Sequence, residues 1–229
     1  MLKINSVSVS IMLSAAILAG CGQVSTPNID NNTASTNNII NTAPDTGNTE
    51  IIIETGTYKV NPEQSRLEWR SRKLLVSTNN HVGTVKIKHG QVTTSSTEII
   101  SGNFIIDMIT IANEDLTGAS KNTLEKHLKS QDFFNVEEFP EASLNITNVT
   151  KNNNNYIVTG DLTIKGITNS ITFPATVTME ENNIVAQANF SIDRSKWDIR
   201  FGSGSFFSDL GNNIIDDNIM FSIKAVANR

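Results

Sequence analysis

From residue 56 to the end of the 229-residue chain, apolar side chains return at every second position, and that rhythm constrains the fold more than any other feature. Leu67 and Trp69, Val85 and Ile87, Leu144 and Ile146, and Val177 and Met179 each flank one polar residue. Phe104, Ile106 and Met108, then Ile171 and Phe173, Phe190 and Ile192, and Ile219, Phe221 and Ile223 keep the same phase. Period two belongs to strands, whose successive side chains point to opposite faces. Turn-forming residues at His89-Gly90, Lys151–Asn155, Gly166 and Glu181–Asn183 separate the runs, the pattern of antiparallel hairpins. The expected class is all-β. One segment departs from it: Leu124 and Leu128 are four apart within 122–130, as are Glu125 and Lys129, which predicts a short helix.

The stretch Gly160-Asp-Leu-Thr-Ile-Lys-Gly-Ile-Thr168 shows what such strands require. Leu162 and Ile164 face one way and Asp161, Thr163 and Lys165 the other, so the apolar side needs a partner surface. A barrel of about eight strands can supply it, either as a core filled by side chains or as a container for one small ligand. Periodicity alone does not choose between them. Phe133, Phe134 and Phe139, just after the predicted helix, could close an open barrel end or form satellite core.

The N-terminus has a different character. A positive start at Met1-Leu-Lys3 leads into an apolar run from Val7 to Leu18, too short to span a bilayer, that ends in Leu18-Ala-Gly-Cys21. That ending resembles the lipobox of bacterial lipoproteins, with Cys21, the chain's one cysteine, as the lipidated residue. Residues 1–20 then read as a signal peptide. From 21 to 55 the chain is rich in Asn and Thr and has no aromatic residue, so it reads as a lipidated tether, with Ile51–Ile53 a candidate lead-in to the first strand. Residues 56–229 form the expected single domain.

Charge removes one class of partner. From residue 56 on, 17 basic side chains face 19 acidic ones, without a basic stripe interleaved with aromatics, so nucleic acid is not an expected partner. Catalysis also lacks its usual signatures. His81, His89 and His127 do not fall at metal-ligand spacing, and there is no nucleophile elbow or phosphate-cradling glycine loop. Neither a cofactor nor a metal is expected.

By strand phase, His81 falls with Val85 and Ile87, and Arg194 with Phe190 and Ile192. A charged group facing an apolar interior needs a partner, which could be a ligand's polar head or an acid at the barrel rim such as Asp193, Asp198 or Asp209.

Three segments together, Asp132-Phe-Phe-Asn-Val136 with Phe139-Pro-Glu-Ala142, Gly160 to Thr168, and Asp193-Arg-Ser-Lys-Trp197, resemble the YceI-like polyisoprenoid-binding family from about Gly56 to the C-terminus. The opening Val60-Asn-Pro-Glu-Gln-Ser65 departs from that family, with Asn61 and Gln64 where many members have Asp and His. The resemblance implies a lipocalin-like antiparallel β-barrel with one or two short helices, holding a long isoprenoid chain or quinone in its lumen. The lumen residues expected are Trp69, Phe104, Ile106, Leu162, Ile164, Phe173, Phe190, Ile192 and Phe221, with any polar head near His81 or Arg194. The implied protein is a non-catalytic lipoprotein exported to the cell envelope and held to a membrane by its anchor, with a second copy or an envelope protein as a further partner. The alternative is an adaptor with a filled barrel that binds another protein through rim aromatics near Trp197, Phe201, Phe206 and Phe207.

Overall fold

The structure, a computed structural model, describes residues 53–75, 80–96, 98–152 and 155–229. The signal peptide, Cys21 and nearly all of the expected tether lie outside the described residues.

Nine strands and one helix make up the described fold: β1 Gly56–Val60, β2 Arg66–Arg72, β3 Asn80–Ser95, β4 Glu98–Asn113, α1 Gly118–Lys129, β5 Glu141–Asn152, β6 Asn155–Ile164, β7 Ile167–Glu180, β8 Asn183–Asp193 and β9 Asn218–Asn228. From β3 to β9 each strand pairs antiparallel with the next, and β2 pairs with both β3 and β9. The sheet therefore closes as an eight-strand barrel, leaving no open edge along the ring. β1 and β2 share one position in that ring. β1 pairs with β3 at Gly56–Lys59 and with β9 at Lys59 and Val60, and β2 follows it along the same two neighbours.

The break between them is an Asx-type turn. Asn61 Oδ1 accepts the N–H groups of Glu63 (3.1 Å) and Gln64 (3.3 Å), while its Nδ2 donates to Gln64 Oε1 at 3.2 Å. Ser65 Oγ donates to Asn61 O at 2.7 Å and accepts the Val226 N–H at 3.0 Å, which pins the turn to β9. The two residues that depart from the common family opening thus have a local structural role.

The β6–β7 connection is a two-residue turn in which Lys165 (φ 51°) and Gly166 (φ 72°) both take left-handed backbone angles. That is the type I′ arrangement, whose twist matches the flanking strands. The turn predicted at His89-Gly90 is not there. Both residues lie inside β3, which runs 16 residues through an irregularity between Ile87 and His89. Gly90 is needed there for close approach rather than for a turn, since a Cβ would sit 2.8 Å from Asn103 O and 3.0 Å from a Val60 methyl.

The helix begins at Gly118, four residues before the segment predicted for it. It is tied to the barrel by Glu125 Oε1, which accepts the Asn113 N–H at 2.9 Å, and by the buried Leu128. Lys126, His127 and Lys129 occupy its last turn, where positive charge suits the helix dipole.

The folded contacts start ahead of the expected boundary at Gly56. Ile53 is fully buried, Glu54 O accepts the hydroxyls of Thr94 (2.7 Å) and Tyr58 (3.2 Å), and Thr55 Oγ1 accepts the Ser96 N–H at 2.7 Å. Residues 53–55 therefore belong with the barrel rather than with the tether.

Candidate functional site: two apolar chambers in the barrel

An aromatic row crosses the inner face of the barrel. Trp69 on β2 is the register partner of Phe221 on β9, and Phe221 is the partner of Phe190 on β8. Phe190 stacks on Phe173 of β7 with centroids 4.4 Å apart at 17°, and its centroid is 5.7 Å from that of Phe221. The row has room on its β3 side because the residue facing Trp69 is Gly83, where a Cβ would come within 2.4 Å of the indole.

Two chambers adjoin this row, with volumes of about 120 Å³ and 110 Å³. They share walls at Leu67, Ile106, Leu144 and Ile223. The first is bounded by Trp69, Phe190 and Phe221, by Leu162 and Ile164 of β6, and by a roof that includes Leu128, Phe133, Phe134, Ile215 and Arg194. The second holds Phe104, Phe173 and Tyr156, and is widened by Ala175, Ala186, Ala188 and Ala225. Eight of the nine predicted lumen residues line one or both chambers. Ile192 is the exception: it is 4 % exposed and packs within the core cluster without lining either space.

The three segments that carry the family resemblance meet around this end of the first chamber. Asp193 caps the short 3₁₀ turn Arg194–Trp197, accepting from Ser195 N–H (3.0 Å) and its hydroxyl (2.6 Å). Trp197, 1 % exposed, donates its indole N–H to Leu162 O at 3.0 Å, and Lys165 Nζ donates to Asp198 O at 2.9 Å. Phe133 and Phe134 line the chamber and belong with the core cluster around it, whereas Phe139 packs against Gly166 outside the lining.

Arg194 is the most buried charge of the roof, at 1 % exposure. Nε donates to Asp216 O (3.2 Å), Nη1 to Ile199 O (3.0 Å) and Phe201 O (2.9 Å), and Nη2 to Ile215 O (3.3 Å). Nη2 also lies 3.1 Å from Asp217 Oδ1, an ion-pair contact rather than an aligned hydrogen bond. Burial pushes the guanidinium below its ordinary pKa, opposed by Asp217, Asp193 and Asp216. The acid that faces it is Asp217, not Asp193, Asp198 or Asp209 as the rim reading offered. With four carbonyls and a carboxylate around it, Arg194 ties the segment 199–217 into a roof.

His81 does not reach the lumen. It sits at the start of β3 with Nδ1 2.9 Å from Asp115 Oδ2, and lines neither chamber. Burial acts to raise the Asp115 carboxyl, but the Val82 N–H, the His81 ring and the Asn113 amide outweigh it and hold the group below its usual range.

Tyr156 and the alanines are wall residues that the sequence reading passed over. Tyr156 and Val158 share the phase of Leu162, so parity could have found them. The alanines give no such signal, because a methyl group carries little hydrophobic contrast and their contribution is the space they leave. Among the described residues, the Trp69 indole N–H and the Tyr156 hydroxyl are both buried without a protein partner.

Residues 58–227 match the family profile described as the YceI-like domain. The chain belongs to the YceI-like family. Among curated relatives, a UPF0312 protein of Photorhabdus laumondii is 33 % identical over 118 residues, 52 % of this chain and 59 % of that protein. A UPF0312 protein of Yersinia enterocolitica is 41 % identical over 59 residues, 26 % of this chain and 31 % of its own length. The matched stretches thus span less than two thirds of these relatives. Among solved structures, Burkholderia cenocepacia BcnA superposes with a TM-score of 0.60 at 22 % identity, covering 74 % of this chain and 99 % of BcnA. A domain from Saccharophagus degradans, described as polyisoprenoid binding, superposes with a TM-score of 0.52 at 14 % identity, covering 75 % and 97 %. These likenesses confirm the closed YceI-like barrel.

Proposed function

We propose that this protein is a non-catalytic carrier that encloses a long-chain isoprenoid lipid, of quinone or polyprenyl type, in its two chambers. The observation that carries the reading is the interior: a closed barrel with two adjoining apolar spaces rather than a side-chain-filled core. Burial of the chain supplies the affinity, at about 25 cal/mol per Å² of apolar surface, so a few isoprene units outweigh any one hydrogen bond to a head group. The Saccharophagus degradans domain, described as polyisoprenoid binding, supports the same ligand class by its fold.

The proposal extends to location. Leu18-Ala-Gly-Cys21 supports export and lipidation at Cys21, which would hold the barrel to an envelope membrane. Cys21→Ser is expected to release the protein from membranes; unchanged fractionation and an N-terminal peptide without lipid mass would refute this part.

A second reading, an adaptor for another envelope protein, is favoured by the exposed Leu74, Leu75, Phe206 and Phe207 around the roof loops. Leu162→Asp and Ile164→Asp separate the two. Each sets an unpaired carboxylate in the first chamber and should abolish lipid binding in a folded protein. Folded variants that bind prenyl lipid as the parent does would leave the adaptor reading.

A further inference from the structure

The inner residues of β8 run Ile184, Ala186, Ala188, Phe190, Ile192, so bulk disappears at two consecutive inward positions. The neighbouring strands repeat the gap at the same level. Ala175 of β7 is the register partner of Ala188, and Ala225 of β9 is the partner of Ala186. Four facing methyl groups leave the second chamber open, immediately beyond the Phe173–Phe190–Phe221 row. Ile184, 1 % exposed, lines the chamber beyond the alanines and packs in one cluster with the buried Ile53 and Tyr58, while Tyr156, the register partner of Ala175, lines it at the alanines' own level. Among the described residues, no charged one lines this chamber.

We propose that the second chamber measures the ligand: one uncharged hydrocarbon chain passes the Phe190 row and ends among Ala175, Ala186, Ala188 and Ala225, which thereby set the chain length the protein accepts. This deepens the carrier reading and depends on it. The two chambers share walls at Leu67, Ile106, Leu144 and Ile223, so a chain passing from one to the other would stay against apolar side chains. At about 110 Å³ the second chamber has room for about one isoprene unit, the terminal piece of a long chain, and leaves a short chain in the first. A larger side chain at any of the four alanines would shorten the available path without touching the first chamber.

The test uses the full chain, expressed natively and stripped of lipid, with farnesol and solanesol as short and long probes. The unaltered protein should bind both, solanesol more tightly. Ala188→Phe should weaken solanesol by about a hundredfold, the effect of excluding about four methylene groups from burial, and leave farnesol within about twofold. Ala175→Val, a smaller intrusion opposite the same site, should shift preference in the same direction and stands in if the larger ring prevents folding. Either folded variant binding solanesol like the parent overturns the length measure alone. An unaltered protein that binds neither alcohol removes the carrier reading, and the measure with it.

Discussion

Trp197 donates its indole N–H to the carbonyl oxygen of Leu162, 3.0 Å away and 35 positions earlier in the chain. That bond joins the 3₁₀ turn after β8 to the strand whose Leu162 side chain lines the first chamber. Phenylalanine at 197 would keep most of the ring's packing and lose the donor, leaving a buried carbonyl short of a partner. Trp197→Phe should cost about 1–3 kcal/mol, and Trp197→Ala about 3–5 kcal/mol, in urea unfolding. Equal losses for both would show that the bond contributes nothing beyond packing.

Arg194 is expected to be a roof residue rather than a head-group site. Arg194→Met would leave Asp217 and four carbonyl oxygens without their cation, at about 3–5 kcal/mol, the range for breaking one side of a buried charge pair. Lipid bound per folded molecule should not change. Normal stability with lost lipid would assign the guanidinium to the ligand instead.

The boundary of the folded unit can be located by truncation. Removing residues 22–50 should leave the melting temperature nearly unchanged, whereas Ile53→Ala should cost about 2–5 kcal/mol because it empties a fully buried site. A large loss from the first deletion would show that the tether packs on the barrel.

Acid should weaken the protein in a defined window. Asp115 and Asp216 are both held below their ordinary range, Asp216 by the Asn218 N–H and by Arg72 against the opposing effect of burial. A carboxyl with a lowered folded pKa stabilises fully above its unfolded value, near pH ~3.9, and loses that contribution as pH falls through the folded value. Stability should therefore drop below about pH 4, and less steeply in Asp115→Asn, when unfolding is followed across that range. An unchanged slope would show that the Asp115 carboxyl, held by the Val82 N–H, His81 and Asn113, does not couple to folding.

Much of this was legible in the chain because a two-residue period reports directly which side chains face inward. Phe104, Ile106, Leu162 and Phe190 all follow it into the chambers. Parity fails for His81, which sits near the start of its strand beside Asp115, but holds for Arg194, which lines the first chamber although it begins a 3₁₀ turn. At His89-Gly90 a glycine read as a turn instead permits close strand contact, a tertiary requirement that local sequence does not encode. The second chamber was hidden for a simpler reason, since Ala175 and Ala188 contribute by what they lack.

The most direct test of the carrier account is mass spectrometry of the lipid extracted from the natively expressed protein, with Leu162→Asp purified alongside. The account predicts a long-chain isoprenoid lipid at close to one per folded molecule, absent from the folded Leu162→Asp variant. Native protein that carries no prenyl lipid, or carries it equally when Leu162 is replaced, would contradict it.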